Sequence, residues 1–283
     1  MSKNSKTGKK KVNPDQQMKN KMLFWSISIP LLIVVFLFAW QHQVGIKYLM
    51  KQWFHQEEII EKGQNKYDVR NINLMKRHDD HLFGIDVSQY QGTIQWEEVL
   101  HINDEFPIDF IYVRATMGEE GKDKKYTENW RAIKKKNKLR GAYHYFRPNE
   151  NSIKQAKNFI KNVDLDAGDL PPVLDIEEMP RNQSMDSLKI GLKRWLDQVE
   201  KHYQVKPVLY SGDKYFADFL EKEFEDYTLW IANYNFWVER PKKHWNIWQF
   251  SEKGSVKGIN GPVDLNMFVG NMEELEELCI PYH

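Results

Sequence analysis

Three kinds of hydrophobic pattern follow one another along the chain. LFWSISIPLLIVVFLFAW, residues 23–40, is an uncharged, mostly apolar run. About 18 residues at 1.5 Å each reach roughly 27 Å, close to the hydrocarbon thickness of a bilayer. Next, IKYLMKQWFHQEEIIEK places Ile46, Leu49, Met50 and Trp53 at helical spacing, which predicts a juxtamembrane helix or stalk. From Leu82 onward the pattern turns to short apolar runs: FGIDVS (83–88), DFIYVRAT (109–116), RGAYHYF (140–146), PPVLDIE (171–177), PVLYSG (207–212), TLWIANY (228–234), NIWQFS (246–251) and VDLNMF (263–268). TENWRAIKKKN, SIKQAKNFIKNV and SMDSLKIGLKRWLDQVEKHY lie between them with helical character. Strands alternating with helices predict parallel βα units. About eight strands in roughly 200 residues predict an α/β fold, a closed TIM-like (β/α) barrel of compact or irregular form. A doubly wound open sheet would carry a phosphate-binding glycine loop after its first strand, and FGIDVSQYQG holds no such motif.

Composition narrows the chemistry. The 283 residues suit one barrel with extras, and 41% apolar with 29% charged residues is ordinary for a protein that buries a core. Forty-one Lys and Arg against 40 Asp and Glu leave a net charge of +1, so no global field draws in nucleic acid. A single cysteine, Cys279, excludes an internal disulfide framework and thiolate-cluster metal sites. No feature calls for a metal, nucleotide or organic cofactor. The RHDDH run ending at His81 has no regular ligand spacing and reads as a solvated linker face.

Charge also orients the first apolar run. Lys3, Lys6, Lys9, Lys10, Lys11, Lys19 and Lys21 precede it and few basic residues follow at once. The positive-inside rule then puts the N-terminus in the cytoplasm. The run is longer than a signal-peptide core, is bracketed by Trp25 and Trp40, and has no small-residue cleavage site after it, so a retained anchor is favoured over a cleaved signal. The expected organisation is a basic cytoplasmic tail (1–22), a single-pass membrane anchor (23–40), a juxtamembrane linker (41–81) and a domain on the periplasmic or cell-wall side (82–283).

The chemistry concentrates where acids interrupt apolar strands. In PPVLDIEEMP, Asp175 and Glu177 are two apart, so on a strand they share one face while Leu174 and Ile176 share the other. In a barrel that face points to the axis, at the C-terminal rim where active sites of this architecture sit. Asp86 stands near the end of the first strand, and Asp264 lies in the last strand, its neighbour in a closed barrel. Four converging carboxylates cannot all ionise freely, so at least one retains a proton near neutrality and can act as a general acid. Glu178 reads as a turn former or cap, and His144 as either a supporting partner of the site or a core residue. Tyr143, Tyr145, Tyr210, Trp230, Tyr234 and Trp248 offer flat faces suited to sugar rings, although core packing is the commoner fate of each alone.

FGIDVSQYQGTIQWEEV, FIYVRAT, NKLRGAYHYFRP, LPPVLDIE, LWIANY, WQFS and VDLNMF together resemble, in order, the motifs of glycoside hydrolase family 25, the Chalaropsis-type lysozymes. The resemblance runs from about Phe83 to Phe268. It implies a muramidase cleaving the β-1,4 bond between N-acetylmuramic acid and N-acetylglucosamine in peptidoglycan. Glu177 matches the catalytic acid, Asp175 its close partner, and Asp86 and Asp264 the two further acids of the site. Tyr143, Trp230 and Trp248 fall in motifs that look like sugar-contacting positions, and Tyr210 and Tyr234 join them as candidate substrate-binding residues. One departure is Met117, where many members carry Glu before the glycine. A retaining scheme with a protein nucleophile and one assisted by the sugar's N-acetyl group both remain open, with the second preferred and Asp175 as orienter. A glycan-binding protein without activity and a chitinase-like glycosidase are the alternatives.

Overall fold

The computed structural model describes residues 66–136 and 138–282, together with isolated helical positions at Trp25, Ser26, Ile29, Ile33, Trp40 and Gln41. The juxtamembrane helix at 46–62 and most of the anchor at 23–40 lie outside the described residues. Among those described, no helix is long and apolar enough to cross a membrane.

Eight strands close a barrel: β1 (Leu82–Val87), β2 (Phe110–Met117), β3 (Leu139–Tyr145), β4 (Val173–Asp175), β5 (Val208–Gly212), β6 (Thr228–Ala232), β7 (Ile247–Gly254) and β8 (Val263–Phe268). Seven of them run parallel, from β1 through β7. β8 closes the ring between β7 and β1, antiparallel to both. That corrects the expectation of an all-parallel barrel. Only eight residues, 255–262, separate β7 from β8, fewer than the dozen or so that a parallel crossover needs, so the returning strand runs the opposite way. The predicted strand at 171–177 is also shorter, ending at Asp175, so Glu177 stands on the loop beyond it.

Alternation along each strand divides the core into two layers. Ile85 and Val87 of β1, Ile111 and Val113 of β2, Leu209 of β5 and Ile231 of β6 face outward into a large core shared with the helices. Phe110, Tyr112, Val173, Val208, Tyr210, Trp230, Ile247 and Phe268 fill the interior. The interior is crowded enough to demand glycine on two strands. A Cβ at Gly84 would lie 2.5 Å from the Phe110 ring, and one at Gly141 would lie 2.1 Å from that of Tyr112. Leu275 and Leu278 of the C-terminal segment pack against the end of the barrel away from the acids.

α1 (Lys66–Arg77), α2 (Tyr126–Lys134), α3 (Ser152–Asn162) and α4 (Met185–Tyr203) contribute to the outer layer. Asn151 and Ser184 cap α3 and α4, each accepting a backbone N–H from three residues on. α1 falls within the stretch expected to be linker, yet Leu74 and Met75 are buried in the main core and Arg70 and Asn71 bond to β7. The folded unit therefore includes residues ahead of Leu82.

Candidate active site

The C-terminal ends of the parallel strands surround an open cleft of about 300 Å³. Asp86, Asp175, Glu177 and Asp264 all line it, as do Tyr143, Tyr210, Trp230 and Tyr234. The reversal of β8 is what brings Asp264 there. In a parallel strand its position, second from the start, would lie at the far end of the barrel, whereas the antiparallel register sets it directly opposite Asp86.

Each carboxyl has a distinct setting. Asp86 is buried, and its Oδ2 accepts from Gln249 Nε2 at 2.7 Å and from Asn266 Nδ2 at 2.9 Å. Asn266 is itself fixed by the Trp230 indole N–H, which donates to its Oδ1 at 2.9 Å. Desolvation lifts Asp86 to about 6, against the opposing pull of those two donors. Asp175 is also buried, and its Oδ1 has no hydrogen-bond partner. Burial, followed by the charges of Glu177 and Asp86, raises it well above the ordinary carboxylate range, and the Arg114 guanidinium opposes the rise. Glu177 is exposed at the mouth yet enclosed enough for desolvation to raise it, with the nearby Tyr210 hydroxyl working against that. Desolvation and the charge of Asp86 lift Asp264 to about 8. Because these groups shift one another, the cluster as a whole retains protons at neutrality.

Such an arrangement can present a proton from a carboxyl at the mouth while another oxygen waits, unpartnered, beside it. That is the equipment for cleaving an acetal, in which a leaving oxygen must be protonated as positive charge develops at carbon.

Comparison with known proteins places this geometry. The model of the glycosyl hydrolases family 25 matches residues 85–259. The chain belongs to glycosyl hydrolase family 25. Lysozyme M1 of Streptomyces globisporus is 30% identical over 213 residues, covering 69% of this chain and 70% of that protein. An uncharacterized Escherichia coli protein, YegX, is 40% identical over 199 residues, covering 69% and 72%. Among solved structures, a family 25 glycosyl hydrolase from Bacillus anthracis superposes with a TM-score of 0.64 at 28% identity, covering 71% of this chain and 95% of that one.

Family 25 membership makes the chain a glycoside hydrolase, and the cleft contains more than the sequence motifs singled out. Arg114 points inward from β2, its Nε donating to the buried Asp123 at 3.0 Å and its guanidinium lying 4.7 Å from the Tyr90 ring centre. Tyr145 lines the cleft and donates to Glu178 at 2.7 Å. Glu178, read from sequence as a turn former, thus supports an aromatic wall. Gln249 and Glu252 of β7 complete the rim. The same two-residue alternation that flagged Asp175 would have found Arg114 and Gln249, had inward polar positions been counted alongside acids.

Trp248 is a correction. It does not line the cleft: it is fully buried on the outer face of β7, packed on Trp245 and Phe250, with its indole N–H donating to the Asn233 carbonyl at 3.0 Å. Its neighbour Gln249 takes the inward phase. His144 is likewise an outer-face residue, bonded to Thr116 Oγ1 at 2.7 Å and Gln155 Oε1 at 3.1 Å and stacked on Trp195, which makes it a core histidine. His78 and His81 are half-buried, so the RHDDH run is less solvated than expected. Ligand atoms of His78, Asp80 and His81 lie within 4.8 Å of one another, but the His78 Nε2 is engaged by the Glu239 carbonyl at 2.8 Å. The run serves to dock the end of α1.

Proposed function

We propose that this family 25 hydrolase is a membrane-tethered lysozyme that cleaves the β-1,4 bond between N-acetylmuramic acid and N-acetylglucosamine in peptidoglycan. The observation that carries the reading is the convergence of Asp86, Asp175, Glu177 and Asp264 in one aromatic-walled cleft. Lysozyme M1, the relative named as a lysozyme, supports the substrate. The uncharged run at 23–40 behind a lysine-rich tail supports the tether.

In this mechanism Glu177, at the mouth, gives its proton to the glycosidic oxygen as the bond from that oxygen to C1 breaks and the electron pair leaves with the oxygen. The acetamido carbonyl oxygen of the muramic acid closes on C1 to form a cyclic oxazolinium ion. Asp175 orients that group by accepting its N–H at the unpartnered Oδ1. Water then attacks C1, passes a proton to the Glu177 carboxylate, and reopens the ring with net retention. Asp86 and Asp264 bias the cluster towards holding the proton that the first step needs. Tyr143, Tyr210, Trp230 and Tyr234 provide the surfaces against which the sugars lie.

The test uses the full chain on purified peptidoglycan, with released fragments identified by mass and by the sugar carrying the new reducing end. Fragments ending in reducing N-acetylmuramic acid, lost in a folded Glu177→Gln protein, are the expected result. Wall binding without release would leave a glycan-binding protein, and turnover of chitin alone would select a chitinase-like enzyme. For the tether, the full chain should stay with washed membranes while a version lacking residues 1–40 should not.

A further inference from the structure

We infer that Arg70, on a helix ahead of the family-matched region, is a positioning residue for the active-site cleft: it ties together the two chain segments whose side chains form the support behind Asp86. The inference rests on the proposed lysozyme reading for its kinetic consequences and on geometry alone for its structural ones.

The family match begins at residue 85, so α1 lies outside it. Arg70 is buried on α1, and its two terminal nitrogens reach different segments. Nη1 donates to the Phe250 carbonyl at 2.8 Å, and Nη2 donates to the Asn235 carbonyl at 3.4 Å. Phe250 directly follows Gln249, and Asn235 directly follows Tyr234. The Tyr234 hydroxyl donates to Gln249 Oε1, Tyr210 donates to the same atom at 2.7 Å, and Gln249 Nε2 donates onward to Asp86 Oδ2 at 2.7 Å. One rigid guanidinium therefore sets the spacing between two backbone positions, each one residue from a partner in the chain Tyr234–Gln249–Asp86. Arg suits this task because its planar fork holds two carbonyls at fixed separation, which a flexible ammonium does not.

The surroundings make the brace specific. Burial lowers the Arg70 guanidinium to about 10, still charged at neutrality, with Glu239 favouring the charge. Phe236, on the same loop as Asn235, lies 6.0 Å from the guanidinium carbon. Arg77 and His78, at the end of α1, hold Glu239 farther along that loop. By contrast Asn71 fixes α1 to β7 through Ser251 Oγ at 3.1 Å without touching the loop. Asn71 Oδ1 also accepts from Arg70 Nη1 at 3.4 Å, so both side chains dock the helix on β7, and of the two only Arg70 reaches the loop as well.

The experiment compares the full chain with Arg70→Met, Arg70→Lys and Asn71→Ala versions, reading kcat and KM on peptidoglycan across pH, thermal midpoint, and hydrogen exchange over residues 233–239 and 247–251. Arg70→Met should lower kcat/KM by about 10- to 100-fold, the scale of a misplaced catalytic group. It should also shift the pH limb that contains Asp86, a carboxyl facing Gln249, Asn266, Asp175, Glu177, Asp264, Tyr143 and Tyr234, and speed exchange at 233–239. Arg70→Lys should restore stability more than activity. Asn71→Ala should lower the thermal midpoint while leaving the pH profile in place. Equal activity losses in Arg70→Met and Asn71→Ala at matched thermal midpoints would overturn the inference, as would unchanged exchange at 233–239 in Arg70→Met. An inactive wild-type chain would defeat the lysozyme reading, and the exchange comparison would still decide the brace.

Discussion

Asp86 and Asp264 are register partners across the antiparallel β1–β8 pair, two acids placed face to face inside one cleft. Like charges directly opposite each other on a sheet destabilise it. The cost is reduced by retained protons, with Asp86 lifted to about 6 and Asp264 to about 8. A carboxyl whose folded pKa exceeds its unfolded value binds more protons in the native state, so stability falls as pH rises from about 4 towards 8. Asp264→Asn removes the Asp264 share of that slope and leaves the share of Asp86, which burial raises independently. Its thermal midpoint should match the wild type near pH 4 and exceed it at pH 8, by roughly 2–4 °C for each kcal/mol of strain released. Parallel melting curves at all pH values would refute the charge opposition.

Trp248 and Tyr143 separate wall from core. Trp248→Phe deletes an indole that satisfies the Asn233 carbonyl in a packed aromatic layer. It should cost about 1–3 kcal/mol in urea unfolding and leave KM within error. Tyr143→Ala, at the cleft, should raise KM several-fold at a smaller loss of stability. A raised KM for Trp248→Phe would return that residue to the substrate surface.

The phase of a strand explains both what sequence revealed and what it hid. Short apolar runs located all eight strands, period-two alternation put Asp175 inward, and its place near a strand end marked Asp86, since a buried acid amid Ile and Val is conspicuous. The same counting, carried along β7 from the bulky Ile247 that fills the barrel interior, gives Gln249 the inward phase and Trp248 the outward one. Aromaticity is a weaker guide than phase, because both layers of this barrel are rich in rings. Strand direction was legible in the connection alone: nothing in VDLNMF distinguishes parallel from antiparallel pairing, but the short stretch before it leaves little room for a crossover. α1 escaped notice for a different reason. Its buried face includes Asp68, Arg70 and Asn71, so the helix docks through polar bonds and lacks a continuous apolar stripe.

His144 gives the opposite pH dependence from the acids. Burial lowers its imidazole to about 4, so the native state holds it neutral while the unfolded chain takes up a proton below about 6.5. Its contribution is present above 6.5 and is lost as pH falls towards 4. His144→Gln should flatten that part of the stability curve relative to wild type, with kcat/KM preserved at neutral pH. Lost activity in a stable His144→Gln protein would assign the histidine a part in the chemistry.

The place at which the chain is cut should decide whether the barrel folds. A version starting at Asp80 keeps every cleft residue and the whole family-matched region, yet removes α1. Leu74 and Met75 leave the core, at about 1.5–3 kcal/mol each. The Phe250 and Asn235 carbonyls lose the Arg70 donor, and Ser251 loses Asn71. With the helix gone these groups bond to water instead, so each loss is nearer the roughly 0.5–1.5 kcal/mol of a hydrogen bond exchanged with solvent. These losses sum to much of the roughly 5–15 kcal/mol that a native domain has in total. A version starting ahead of Lys66 should therefore unfold cooperatively, and one starting at Asp80 should melt at a markedly lower temperature or aggregate. Coincident urea midpoints for the two would show that α1 is dispensable for folding and that the barrel closes without it.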